Sequence, residues 1–174
     1  MIASLDDAWR WYNSARRLAR TMRRLGENHW NNLPWDGDLG RDNQLKELAS
    51  AEILNDSQTV LDDLDDLCVL LLFSVFEATI RERVLAEVEA ELPQLRHVTI
   101  RRALDKMKEG IEQGSFFKVL EPYKVLDADL IEQVNQVRRY RNWVAHGRRM
   151  EQPAVVNPMT AYDRLKRFLD LLGA

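Results

Sequence analysis

One cysteine in 174 residues, Cys68, leaves nothing to build an intramolecular disulfide from, and its place inside the apolar run Leu67 to Phe76 marks it as packing. Histidine is almost as scarce. His29, His97 and His146 stand far apart and no helix carries the His-Glu-x-x-His spacing of zinc hydrolases, so neither a metal-ligand set nor a cofactor is expected. A glycine-rich phosphate loop is missing as well. The ten-residue apolar run follows Asp62, Asp63, Asp65 and Asp66 and falls far short of the roughly 20 residues that cross a bilayer, which excludes a membrane helix. Asp6 and Asp7 occupy the place where a signal peptide needs positive and then apolar residues, so a cytoplasmic protein is expected. Strand-like alternation and internal repeats are both absent.

What remains is a helical pattern. The chain is 45% hydrophobic, enough for one domain over 1–174 with its own core. Leu5, Ala8, Tyr12, Ala15, Ala19 and Met22 recur at helical spacing and predict a first helix from Ser4 to Leu25. Its other faces carry Arg10, Arg16, Arg17, Arg20, Arg23 and Arg24, a pattern that more often solvates a helix than tracks a phosphate backbone. Residues 26–43 gather Gly, Asn, Pro and Asp around Trp30 and Trp35 and read as an ordered loop pinned by its two indoles. A short helix over 44–53 follows, then a long one capped by Asp56 or Ser57 and reaching Glu91. Its segment 67–76 is apolar nearly all round and must be enclosed by protein, within the chain or in an oligomer.

Thr99 is the expected cap of the next helix, with Ile100, Leu104, Met107 and Ile111 as its seam and Gly114 as its stop. Pro122 breaks the piece 115–126. Asp129, with Glu132 three residues on, resembles an acidic capping box and opens a helix that runs to His146. Gly147 ends it, 147–157 forms a loop, and Asn157 with Pro158 starts a last helix whose inward residues are Tyr162, Leu165, Leu169 and Leu172. The sum is an all-α, single-domain antiparallel bundle of five to six helices.

Net charge is −3, so an electrostatic case for a polyanion must rest on local placement. The stretch Gln133 to Met150 carries five arginines and no acid. Within it Leu130, Val134, Val137, Arg141 and Val144 keep a four-three-four-three rhythm, which puts Arg141 on an apolar seam where a charge needs a partner or a purpose. Glu77, beside the apolar run, is one candidate partner. Asn142 and His146 share a face, whereas Arg141 and His146 are five residues apart, about 140° around an ideal helix. They converge only through the length of the arginine, a loosened last turn, or a cleft between two copies of the helix. Nineteen arginines and three histidines give roughly one chance match to such a spacing, and Arg24 to His29, which crosses Gly26 into the loop, is taken as that accident.

Arg141-Asn142-Trp143-Val144-Ala145-His146 resembles the active motif of the HEPN superfamily, the higher eukaryotes and prokaryotes nucleotide-binding domains: arginine, four to six residues, histidine, with a polar residue often following the arginine. Phe73-Ser74-Val75-Phe76-Glu77 followed by Arg81 is similar to an earlier helix of that family. The resemblance implies a bundle that dimerises so that two motif helices line one cleft. It also implies a metal-independent endoribonuclease of defence or toxin-antitoxin systems, although some relatives have lost catalysis. One toxin subgroup carries a modifiable tyrosine two residues after the histidine, where this chain has Arg148.

The residue chemistry agrees with that implication. His146 can move a proton near neutral pH as general base or acid, and the planar fork of Arg141 fits phosphoryl oxygens. Asn142 is placed to orient a phosphate oxygen or the imidazole. Arg138, Arg139, Arg148 and Arg149 are candidates for holding single-stranded RNA, with Tyr140 or Trp143 as stacking surfaces. The competing reading is a catalytically silent bundle that binds a protein, such as an antitoxin or a defence component; a nucleotide sensor is a more distant third.

Overall fold

The computed structural model describes residues 2–94 and 96–173. Among them are seven α-helices and no strand: α1 (Leu5–Asn28), α2 (Asn43–Glu47), α3 (Ser50–Glu91), α4 (Val98–Gln113), α5 (Phe116–Leu120), α6 (Ala128–Ala145) and α7 (Pro158–Leu171). α2 and α5 are single short turns of five residues each, which leaves five substantial helices. None is long and apolar enough to cross a membrane among the described residues.

α3 is the spine. Leu64, Cys68, Val69, Leu72, Phe73, Phe76 and Ile80 lie on its buried face, against Tyr12 from α1, Val134 and Val137 from α6, and Leu165 and Phe168 from α7. Phe76 meets the edges of Phe116 at 5.9 Å and Phe168 at 5.5 Å, contacts worth about 0.5–1.5 kcal/mol each beyond area burial. Burial, and then the charge of Asp65, push the Cys68 thiol up to about 12, so it stays protonated and packs as a small apolar group. Enclosure of the apolar run is incomplete: Leu67 is 50% exposed, while Leu70, Leu71 and Val75 are half-buried.

Several helix boundaries differ from the sequence expectation, for local packing or hydrogen-bonding reasons. α1 runs through Gly26, because that glycine lies against α3: a Cβ there would sit 3.2 Å from side-chain carbons of Ile53 and Leu54. α3 begins at Ser50 rather than beyond Asp56 or Ser57, since the Ser50 hydroxyl donates to Gly26 O at 2.8 Å and Glu52 accepts from the Ala49 amide at 2.7 Å. The short helix consequently stops at Glu47. His97, not Thr99, caps α4, its Nδ1 accepting from the Thr99 amide at 3.3 Å. Asp127, not Asp129, caps α6, accepting from the Leu130 amide at 2.8 Å, and Asp129 sits in the first turn where a negative charge suits the helix dipole. Of the seam assigned to α4, Ile100 and Met107 are exposed, Leu104 is half-buried and Ile111 alone is buried.

The loop before α2 is pinned as its tryptophans suggest. Trp30 is buried and donates to Leu48 O at 2.9 Å, and Trp35 donates to Trp30 O at 3.1 Å. Asn157 caps α7 through the Thr160 amide at 2.8 Å, with Pro158 in the first turn.

Candidate functional site at the end of α6

Two adjacent acids of α3 clamp the neighbouring helices. Successive helix positions diverge by about 100°, so Asp65 and Asp66 face different partners. Tyr12 of α1 donates to Asp65, and Tyr140 of α6 donates to Asp66, both at 2.6 Å. Burial first, and then the Asp66 bond, push the Tyr140 phenol up to about 12; burial and Asp65 raise that of Tyr12 likewise. A raised phenol stabilises the fold fully below the unfolded value near 10 and loses that contribution as pH rises toward the folded value. Unfolding stability should therefore decline between about pH 10 and 12, and Tyr140→Phe should flatten the decline when urea midpoints are compared across that window.

Past Tyr140 the helix closes abruptly. His146 stands at the C-cap, the Gly147 amide returns to Val144 O and the Arg148 amide to Trp143 O, both at 2.9 Å. This is a Schellman closure, and Gly147 takes the left-handed position it requires at φ 71°. Arg148 follows at φ 59°, a conformation that costs a residue with a Cβ about 1–2 kcal/mol. Its guanidinium offsets that cost by pairing with Asp66, and it lies 3.7 Å from Asp63 and 5.9 Å above the Trp143 ring. Trp143 in turn donates to Met150 O at 2.9 Å, tying the connection to α7 back onto α6.

Arg141 does occupy the seam, and its partner is Glu77. The Arg141 Nη2 is 3.6 Å from Glu77 Oε2, Nη1 donates to Asn142 Oδ1 at 3.0 Å, and the guanidinium lies 5.4 Å from the Phe73 ring centre. Its Nε is buried without a hydrogen-bond partner. Glu77 is shared: its other oxygen accepts from Arg81 at 2.7 Å, and Arg81 also donates to Ile111 O and to Gly114 O, joining the site to the end of α4. One loose ion pair and one hydrogen bond leave three of Arg141's five N–H donors unspent, the buried Nε–H among them.

The remaining candidates divide. Arg138 donates to Asn135 at 3.1 Å and stacks 5.4 Å from Phe117; burial, then the charge of Arg139, lower its pKa. Arg139 pairs with Glu132. Arg149 and His146 are exposed, with no ion pair or hydrogen bond from their side chains among the described residues. Tyr140 is buried and cannot stack on a base, and Trp143 is half-covered by Arg148. The acid-free stretch along the chain is thus not acid-free in space, because Asp63 and Asp66 arrive from α3. A tyrosine on an apolar seam needs a hydroxyl partner, and that was the signal for the two aspartates which the sequence reading did not use.

Arg141 and His146 are not joined by a hydrogen bond among the described residues, and the last turn between them is regular rather than loosened. Compared with family models, curated proteins and solved structures, the chain matches none. The chemistry available at this end of α6 therefore has to be argued from its own groups: a guanidinium with donors to spare, an amide bonded to it, and an exposed imidazole at a rigid helix terminus.

Proposed function

We propose that the protein is a metal-independent endoribonuclease that cuts single-stranded RNA through the 2′-hydroxyl, with Arg141, Asn142 and His146 as its working residues. The observation that carries this reading is Arg141, a charged residue kept on an apolar seam by Glu77 while most of its donors stay unspent, five residues before an exposed histidine. In the reaction the 2′-hydroxyl attacks the adjacent phosphorus in line and the 5′-oxygen of the next nucleotide leaves. The products are a 2′,3′-cyclic phosphate and a 5′-hydroxyl. His146 takes the proton from the 2′-hydroxyl or delivers one to the leaving oxygen, a role typically worth 10²–10⁴-fold. Arg141 stabilises the charge growing on the phosphoryl oxygens, and Asn142 holds Arg141 in place. The resemblance to the HEPN motif adds support and suggests a toxin-antitoxin or antiviral defence setting in the cytoplasm.

Five residues and a regular turn separate the two catalytic groups, so one copy pairs them poorly. A homodimer placing two α6 ends across one cleft supplies the missing proximity, and the half-exposed Leu67 beside Asp66 provides apolar surface near that end. Light scattering in the cleavage buffer should report twice the chain mass; a chain that stays monomeric there while cutting RNA removes the shared cleft. The cleavage itself is tested with single-stranded RNA in excess chelator, with the ends of the products identified.

A second reading, a protein-interaction module, draws on one observation. α4 leaves Ile100 and Met107 exposed on one face, apolar surface of the kind that docks a partner such as an antitoxin or a defence protein. Absence of cleavage from every single-stranded RNA tested would favour it.

A further inference from the structure

The arginines in and just after α6 are mostly spent inside the chain: Arg139 on Glu132, Arg148 on Asp66 and Asp63, Arg138 on Asn135 and Phe117. On α1, Arg10 pairs with Asp7 and Arg23 with Glu27, but the others do not pair with an acid. Asp6 binds Lys166 at 2.8 Å and Trp9 stacks on Tyr162 at 5.0 Å, so α7 covers the first turns of one flank of α1. Asn13, Arg16, Arg20 and Arg24 continue the Trp9 flank at spacings of three and four residues; Arg16 is half-buried and the other three are exposed. Together with Arg17 and Thr21 they line a groove of about 310 Å³. The side chains of Arg17, Arg20 and Arg24 have no ion pair or hydrogen bond among the described residues. Arg16 rests 5.7 Å from the Tyr12 ring centre.

We infer that this groove is the track along which single-stranded RNA is held, leading to the α6 terminus. Every cation in it is arginine, whose fork takes two phosphate oxygens at once, and the other two lining residues donate neutral hydrogen bonds. No apolar side chain lines it. A membrane-binding helix needs an apolar face to insert and a protein interface needs an aromatic or aliphatic anchor, so the lining fits neither. From Arg16 to Arg24 the rise is about 12 Å, room for several backbone phosphates. The Arg16 end adjoins Tyr12 and through it Asp65, whose neighbour Asp66 holds Arg148, two residues beyond His146. The Arg16 end of the groove therefore lies at the same level along α3 as the α6 terminus. The choice of RNA among polyanions rests on the ribonuclease reading.

The test is fluorescence anisotropy of a labelled 2′-O-methyl oligouridine, which cannot be cut, across a salt series. Arg17, Arg20 and Arg24 are exposed, so R17A/R20A/R24A should melt like wild type. It should bind about tenfold or more weakly at low salt, and its log affinity against log salt should be shallower by about 2, at roughly 0.7 per lost phosphate contact. The charge-matched control R41A/R83A/K108A removes three cations already paired to Asp38, Glu87 and Glu89 and should keep the wild-type slope. An unchanged triple variant overturns the track, as does an equal loss in the control. Groove-dependent binding to phosphatidylserine vesicles or polyglutamate in preference to the oligonucleotide overturns it in favour of a membrane or an acidic protein. Cleavage is scored separately: a wild type that binds through the groove yet never cuts RNA ends the ribonuclease reading and leaves the track standing, and a cutting wild type with an unchanged triple variant does the reverse.

Discussion

His146→Ala should cut single-stranded RNA at least about 10²-fold more slowly than wild type in excess chelator, the loss expected when a general acid or base is removed. The fold should survive the change. His146 is a C-cap residue with an exposed side chain, and the backbone bonds that close the helix come from its own amide and those of Gly147 and Arg148, none of which needs an imidazole. Equal thermal melting of the two proteins separates a chemical defect from a structural one. A folded His146→Ala protein that cuts as fast as wild type would falsify the assignment of this residue.

Glu77→Ala should be the more damaging change to stability. Glu77 is the common partner of Arg81 and Arg141, and its removal leaves two cations on the inner side of α3 and α6 with no counter-charge. Breaking a fully buried pair costs roughly 3–5 kcal/mol. Here the side chains are 17%, 21% and 28% exposed for Arg81, Glu77 and Arg141, so solvent screens part of the penalty and about 2 kcal/mol is expected from urea unfolding. Glu77→Gln, which retains one acceptor oxygen for one of the two guanidiniums, should lose less. If Glu77 acts on catalysis through Arg141, the Gln variant should lower the cleavage rate more than RNA affinity. A variant as stable as wild type would show that Arg81 and Arg141 are held by Phe116, Phe73 and the α4 carbonyls alone.

The sites where helices begin illustrate where local reading stops. Asn157 and Pro158 act within one turn, and the structure uses them as cap and first residue. Ser57 has the same local qualification as a cap yet is buried within α3, because Glu52 already accepts from the Ala49 amide, Ser50 ties the helix start to Gly26 O, and Gly26 of α1 packs against Ile53. The amphipathic pattern of α4 was equally plain, but no second helix lies over Ile100 and Met107 to bury them.

The sequence by itself determined the all-α class, the principal helices, the closure at Gly147, and the need for a partner to Arg141, because helical periodicity, capping and the cost of a charge on an apolar seam act over a few residues. Only the tertiary structure decided which charges are free. Arg148 lies 82 residues from the aspartate that holds it, and Tyr140 lies 74 from the same acid. An ion pair depends on distance across packed helices, which no spacing along one helix encodes. The same packing left Arg17, Arg20 and Arg24 of α1 without acids of their own.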